Sequence, residues 1–306
     1  MNELRWRSPD GKIDAPMALS FFASSSDYAI CKRLHRKYGT TYYFAARRLP
    51  ANLRRRVIAL NGFVRVPADW IDNPKRAPAA KLEQLLNAYR NDFIRGMDGV
   101  IPGNPVLRAF CDVAHEVSLP IEEPLRFLDA MEQNIHTCRY ETYDELRRYM
   151  RGSASSVGLM ACMLMEVPPD QIVRHSAIAL GEAMQLTKFL RDVGDDLRRG
   201  RVYIPMEDMR RFSGSEDAIL QEEVNQAFAR LMNYEIERAR GLYAEADLGI
   251  SLLPTPVLPA VKLARILYAR ILDRIEQRRY DVFSGRARTS SVEKLAAAVR
   301  VLTGAI

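Results

Sequence analysis

Apolar residues return every three or four positions along most of this chain. The period is plain in "DELRRYM" (144–150), "LGEAMQLTKFLRDV" (180–193), "EEVNQAFARLMNYEIERARGLYAEA" (222–246) and "AVKLARILYARILDRIEQRRYDVF" (260–283). At 3.6 residues per turn, this spacing lines one face of a helix with apolar side chains and leaves the other polar. Prolines fall between such runs, at Pro50, Pro74, Pro102, Pro105, Pro120, Pro168, Pro205 and Pro254, where helices start or stop. No stretch alternates with period two, as a half-buried strand does, and no internal repeat is visible. The Gly/Pro-rich piece "DGVIPGNPV" is short and reads as a loop within a domain. The pattern predicts one all-α domain of ten or more helices over residues 1–306, with residues 1–20 a flexible N-terminus.

Composition bounds what such a domain does. The chain has 306 residues, 48% hydrophobic and 27% charged, enough to bury a sizeable core. Cys31, Cys111, Cys138 and Cys162 are far apart and form no Cys-x-x-Cys pair, so neither a disulfide framework nor a zinc site is expected. The N-terminus "MNELRWRSPDGKIDAP" is charged and lacks the apolar centre of a secretory signal. The longest unbroken apolar run, "VGLMACMLM" (157–165), is nine residues, against the about 20 that cross a bilayer. A soluble, cytoplasmic protein is expected, with room for a peripheral membrane contact; the oligomeric state is not legible. The formal net charge is +7, which fits nucleic acid, anionic lipid or a polyanionic small molecule. The arginines are spread along the chain without a nucleic-acid-binding motif, so nucleic acid is not expected as a partner.

The chemistry concentrates in two short stretches. In "QLTKFLRDVGDDLRRGRVYIP" (185–205), Gln185, Lys188, Asp192 and Asp196 share one helical face, and Arg191, Arg198, Arg199 and Arg201 stand nearby. Two carboxylates one turn apart can hold a hard divalent cation such as Mg²⁺, whose shell is often completed by substrate phosphates. The plainer alternative is an exposed helix carrying an ion pair between Lys188 and Asp192. In "GFVRVPADWIDNP" (62–74), Arg65, Asp69 and Asp72 again share a face among apolar neighbours. An inward carboxylate pair is costly unless a cation compensates it. Two such stripes predict opposed helices that clamp a diphosphate through Mg²⁺. Pro67 removes a backbone donor between Arg65 and Asp69 and threatens a kink.

Four stretches resemble, in order, signatures of the squalene/phytoene synthase family, the head-to-head branch of the all-α isoprenyl diphosphate synthases. They are "HRKYGTTYYFAARRLPANLRRRVIALNGFVRVPADWID", "YMRGSASSVGLM", "QLTKFLRDVGDDLRRGRVYIP" and "YARILDRIEQRRYDVF". The resemblance implies an isoprenoid-synthase-type helical bundle around a central apolar cavity, acting as a Mg²⁺-dependent prenyltransferase on a prenyl diphosphate. It assigns Asp69, Asp72, Asp192 and Asp196 to the metal and to catalysis. It also puts Thr41, Arg65, Arg191 and Tyr268 near the diphosphate, and Tyr42, Tyr149, Val157 and Gln185 at the cavity or its entrance. A tyrosine face such as that of Tyr149 can stabilise an allylic cation.

Three positions depart from the family pattern. Ala68 stands where the first acidic motif usually begins with Asp, Lys188 where the second usually carries Asn, and Asn134 where Asp is common. An ammonium has no lone pair and cannot replace a neutral oxygen ligand; Lys188 is expected to pair with Asp192 or to touch a phosphate. Head-to-head coupling ionises a diphosphate twice, so these losses favour a single ionisation. The expected reaction is therefore transfer of one prenyl group, from a fifteen-carbon farnesyl donor, to a non-diphosphate acceptor such as an indole compound or a tryptophan-containing cyclic dipeptide. The alternatives are head-to-head condensation, with Asp69 and Asp72 sufficing, and a catalytically inactive relative with an assembly role. No Gly-x-Gly-x-x-Gly fingerprint of a dinucleotide site is present.

Overall fold

Local signals place the helices well. Asp170 accepts hydrogen bonds from the backbone N–H groups of Ile172 and Val173 and opens the longest helix. Asn104 and Asn225 cap two others in the same way; each satisfies donors that the first turn leaves free. The computed structural model describes residues 23–73, 77–287 and 289–303, and none of these is in a strand. The expected flexible segment 1–20 lies outside the described residues.

In chain order the helices are α1 (Ser25–Tyr38), α2 (Thr40–Ala46), α3 (Ala51–Asp72), α4 (Ala79–Met97), α5 (Pro105–Glu116), α6 (Glu122–His136) and α7 (Tyr143–Met150). A π-helical turn (Arg151–Ser155) then leads into α8 (Ser156–Leu164) and α9 (Gln171–Leu197). The remainder are α10 (Met206–Arg211), α11 (Ser215–Leu220), α12 (Gln226–Ile250), α13 (Leu258–Gln277) and α14 (Ser291–Leu302). α13 stops before its periodic run does. Arg279 and Tyr280 adopt left-handed backbone angles, φ 53° and 66°, and the chain turns back so that Val282 and Phe283 are buried. No helix among the described residues is long and apolar enough to cross a membrane.

One contiguous core of buried side chains runs from Cys31 on α1 to Ala287 beyond α13. An aromatic cluster within it joins α3 to α4, α5 and α6 through Phe63, Phe93, Phe110 and Phe127, with the Phe63 and Phe110 rings stacked at 4.1 Å. Pro67 sits inside α3 without ending it. The carbonyl of Phe63, which a residue-67 N–H would ordinarily meet, instead accepts the Tyr89 hydroxyl at 3.2 Å. A neighbouring helix thus repairs the ladder, and Arg65, Asp69 and Asp72 stay on one continuous helix.

α9 packs along α12 on one side and against the π-helical turn on the other. The second contact is close: a Cβ on Gly181 would stand 2.7 Å from the Ala154 carbonyl oxygen. Only glycine lets these backbones meet, and their meeting fixes Tyr149, Ser153 and Val157 beside the α9 stripe.

Candidate active site

α9 carries a stripe of Val173, Ser176, Ala177, Leu180, Gly181, Met184, Gln185, Lys188, Arg191 and Asp192 along one cavity of about 760 Å³. This volume lies in the upper part of the ~300–1,000 Å³ typical of small-molecule sites. From Val173 to Asp192 the wall extends about 28 Å at 1.5 Å per residue. Its chemistry changes along that length. The N-terminal half of the stripe is apolar, with Ile250, Leu253 and Val261 also on the wall. The C-terminal end is charged, and there the last turns of α3 bring Arg65, Ala68, Asp69 and Asp72 to the same cavity. The two acidic stripes are therefore opposed across one chamber.

Each carboxylate is already held by a cation. Arg65 Nη2 donates to Asp69 Oδ1 at 3.1 Å, and the Tyr38 hydroxyl donates to Asp69 Oδ2 at 3.3 Å. Lys188 Nζ lies 3.6 Å from Asp72 Oδ2, and Arg201 Nη1 lies 3.7 Å from Asp72 Oδ1. Arg191 grips Asp192 with two bonds of 2.8 Å each. Arg286 Nε stands 3.0 Å from Asp192 Oδ1 and 2.6 Å from Asp195 Oδ2, as an ion pair without an aligned hydrogen bond. Burial works to raise the Asp192 pKa, but the Arg191 hydrogen bonds and the charges of Arg191, Arg286 and Lys188 outweigh it and hold the carboxyl below its ordinary range. In Asp196 burial wins: it pushes the pKa to about 7, Lys188 opposes it, and the Asp192 and Asp72 charges reinforce it.

Most of the residues expected from sequence meet here. Tyr42, Arg65, Asp69, Asp72, Tyr149, Val157, Gln185, Lys188, Arg191, Asp192 and Tyr268 all line the cavity. Two do not. Thr41, expected near the diphosphate, is off the wall, because the short α2 turns Tyr42 and not its neighbour inward. Asp196 faces a small adjoining recess with Phe189, Arg201 and Tyr203; it lies one turn beyond Asp192 on the same helical face, past the end of the main cavity. The expected Lys188–Asp192 pairing is also corrected, since the Lys188 ammonium pairs across the chamber with Asp72 of α3.

Other wall residues escaped the sequence reading. Arg286 lies in the irregular segment after α13, where no periodicity points inward. Phe189 and Tyr203 stack face to face at 4.0 Å, with Tyr149 beside them. Three guanidinium Nε atoms around the charged end, those of Arg65, Arg201 and Arg286, are buried with no hydrogen-bond partner among the described residues. Unmet buried donors are costly. The Nε of Arg286 is matched by its two carboxylates and Arg201 lies off the cavity wall, so it is the unmet donor of Arg65, on the wall, that suits an anionic ligand.

The donor set also suits a divalent cation. Among the described residues no three His, Cys, Asp or Glu side chains gather closely enough to hold a metal by themselves. Mg²⁺ does not require that: one or two carboxylates suffice when water and substrate phosphate complete its octahedron, and the oxygens of Asp72 and Asp192 fit this use.

A sequence profile described as squalene/phytoene synthase matches residues 35–293. The chain belongs to the squalene/phytoene synthase family. It is 32% identical to phytoene synthase of Arthrospira platensis over 283 residues, 89% of this chain and 91% of that one. It is also 32% identical to 15-cis-phytoene synthase of a Synechocystis strain, over 92% of this chain and 86% of that one. A crystal structure of a dehydrosqualene synthase in complex with ligand superposes with a TM-score of 0.84 at 26% identity, covering 92% of this chain and 96% of that one. The fold is thus the all-α isoprenoid synthase fold, and the family is one of prenyltransferase-type enzymes.

These relatives overturn one expectation. Transfer of a single prenyl group to an indole or other aromatic acceptor does not agree with relatives named phytoene and dehydrosqualene synthases, and a farnesyl-specific donor does not follow from them. The site supplies the physical reason. Ala68 and Asn134 lie on the wall of a chamber whose acidic helices remain opposed, and Lys188 spans that chamber without breaking it. The three departures leave the two-stripe architecture standing.

Proposed function

We propose that this protein condenses two prenyl diphosphates head to head, joining their allylic ends and releasing diphosphate. The observation that carries the reading is the opposition of the α3 and α9 stripes at the charged end of one long, otherwise apolar cavity. Relatives named phytoene synthase support it.

In this reading Arg65, Lys188 and Arg191 receive the diphosphate, with Tyr268 beside them on the wall. The unmet Nε–H of Arg65 offers a further contact, and Arg286 on the same wall adds positive charge. Asp69, Asp72 and Asp192 would hold Mg²⁺, with Asp196 behind them. The family uses such a metal to ionise the diphosphate; when bound, the metal neutralises negative charge growing on the leaving group. The prenyl tails lie along the apolar length bounded by Val157, Leu180 and Ile250, which excludes water from the reacting carbons. Tyr149, Phe189 and Tyr203 border the chamber as aromatic faces, and each ring can stabilise a nearby cation by about 0.5–2 kcal/mol. Burial raises the Tyr149 phenol well above its ordinary pKa, so it stays neutral and acts as a π face and hydrogen-bonding group, not as a base.

The test is incubation of the full chain with Mg²⁺ and fifteen- or twenty-carbon prenyl diphosphates, with and without NADPH, followed by mass spectrometry of the apolar extract. A product of twice the donor's carbon count, with two diphosphates released for each, is the expected outcome. Consumption to a monomeric alcohol alone, or no consumption, would overturn the reading.

A further inference from the structure

Charge at the open end of the cavity is out of balance in a telling way. Among the described residues the wall carries six cationic side chains, Lys37, Arg65, Lys188, Arg191, Arg199 and Arg286, and three carboxylates, Asp69, Asp72 and Asp192. Five of the six sit in local or flanking pairs, or at the rim. Arg65 serves Asp69 on its own helix, Arg191 serves its neighbour Asp192, Arg199 serves Asp196 on its own turn, and Arg286 comes from the segment after α13. Lys37 stacks over the Tyr38 ring at the edge of the opening.

Lys188 differs. It rises from α9, yet its ammonium stands 3.6 Å from Asp72 Oδ2 on α3. Its charge also bears on Asp192 and Asp196 of its own helix. One positive group therefore sits where the two stripes converge. It is 37% exposed, so its tip faces the opening and is not sealed in the core. Behind Asp72, Arg201 stands at 3.7 Å and balances that carboxylate from the other side. An ammonium on a four-carbon stem is a movable point charge with three donors. It can leave Asp72 for an incoming phosphate oxygen while Arg201 keeps Asp72 compensated.

We propose that Lys188 is a resident cation that bridges the two acidic helices and takes part of the diphosphate's charge on itself, so that this site binds diphosphate with less divalent metal than its carboxylates alone would require. The inference rests on reading the cavity as a prenyl diphosphate site. It makes Lys188 a diphosphate-binding and charge-balancing residue, and it explains how a lysine can stand on an acidic stripe without disabling it.

Inorganic diphosphate is the probe. Its binding to the full chain is measured by calorimetry in EDTA and again in Mg²⁺, for the wild type, Lys188→Asn, Lys188→Met and Lys188→Arg. Bound Mn²⁺ is counted by paramagnetic resonance in the presence of diphosphate. The wild type is expected to bind diphosphate in EDTA. Both neutral variants should weaken that binding about tenfold or more, the loss of one hydrogen bond to a charged group, and Lys188→Arg should restore most of it. The neutral variants should also bind more Mn²⁺ per chain, or bind it more tightly, once the internal cation is gone. Melting temperatures identify any variant that has lost its fold, and the remaining neutral variant then carries the comparison. Equal affinity in EDTA and an equal Mn²⁺ count across the four proteins would overturn the role of Lys188 alone. Failure of the wild type to bind diphosphate even with Mg²⁺ would overturn that role together with the substrate reading.

Discussion

The two acidic stripes face one chamber but are built differently. On α9, Asp192 is 3% exposed and held by a two-bond guanidinium grip with a second arginine alongside. On α3, Asp69 is 41% exposed and Asp72 is 23% exposed; each meets its cations at 3.1 Å or longer. The α9 stripe is a preset electrostatic unit, whereas the α3 stripe is loosely held and open to rearrangement. The physics follows from screening. A charge pair near water contributes little, while one removed from water is strong when complete and expensive when broken. The same residue type, a helical aspartate beside an arginine, thus has two different roles according to depth.

Mutation can break this contrast, and the largest effect is expected at Asp192. Asp192→Asn removes the negative charge that Arg191 and Arg286 neutralise and one of the two oxygens that accept from Arg191, and should lower kcat/KM by about 10²–10³-fold, the scale of a preorganised catalytic electrostatic group. It should also cost about 1–3 kcal/mol of stability from the arginines left uncompensated. Steady-state kinetics and denaturant melts read both. An unchanged melt would mean that the α9 stripe is no more preset than that of α3.

Next comes the packing that fixes Arg286. A Cβ on Gly194 would meet the Phe283 Cα at 3.1 Å and the Val282 carbonyl oxygen at 3.2 Å. Gly194→Ala should therefore push the post-α13 segment off α9, cost about 1–3 kcal/mol by overpacking, and lower activity by moving Arg286. Asp72→Asn should be milder, about tenfold in kcat/KM with a stability change within about 1 kcal/mol. Asp69→Asn should be the mildest for the fold, within about 0.5 kcal/mol, since its helical partner Arg65 is a neighbour at i−4.

Proton linkage sharpens the contrast within α9 itself. Burial raises Asp196 to about 7 from the ordinary 3.8, so the folded chain keeps a proton that the unfolded chain releases. That stabilisation is complete below about pH 3.8 and disappears as the pH climbs to about 7. Asp196→Asn, which mimics the protonated form, should match the wild type in acid and grow relatively more stable up to neutral pH. Asp192 is lowered, so its contribution has the opposite sign: it is present above the ordinary carboxylate range and lost on acidification. Melting temperatures of the metal-free proteins from about pH 2 to 8 check both signs, the Asp196 change between about pH 3.8 and 7 and the Asp192 change in the acid limb below it.

Much of the site was legible because helical spacing is a local property. Arg65, Asp69 and Asp72, and Gln185, Lys188 and Asp192, lie on common faces whatever the rest of the chain does. The family signatures added Tyr42, Tyr149, Val157 and Tyr268. What escaped was remote or irregular: Arg286 in a non-helical segment, the Phe189–Tyr203 stack that joins α9 to the loop beyond it, and the Tyr89 hydroxyl that lets α3 continue past Pro67. The indole reading failed for a related reason. It treated Lys188 as a defect within its own helix, whereas its partner stands on another.

The order of residues by itself determined the helices, their apolar faces, the two acidic stripes and the family, because each depends on intervals of a few positions or on a run of motifs. Only the tertiary structure decided which carboxylate each cation serves, that Asp196 turns into a recess while Asp192 borders the chamber, and that Lys188 reaches Asp72. Those outcomes depend on how helices distant in sequence pack, and packing alone sets the depth at which a charge sits and the direction in which its side chain points.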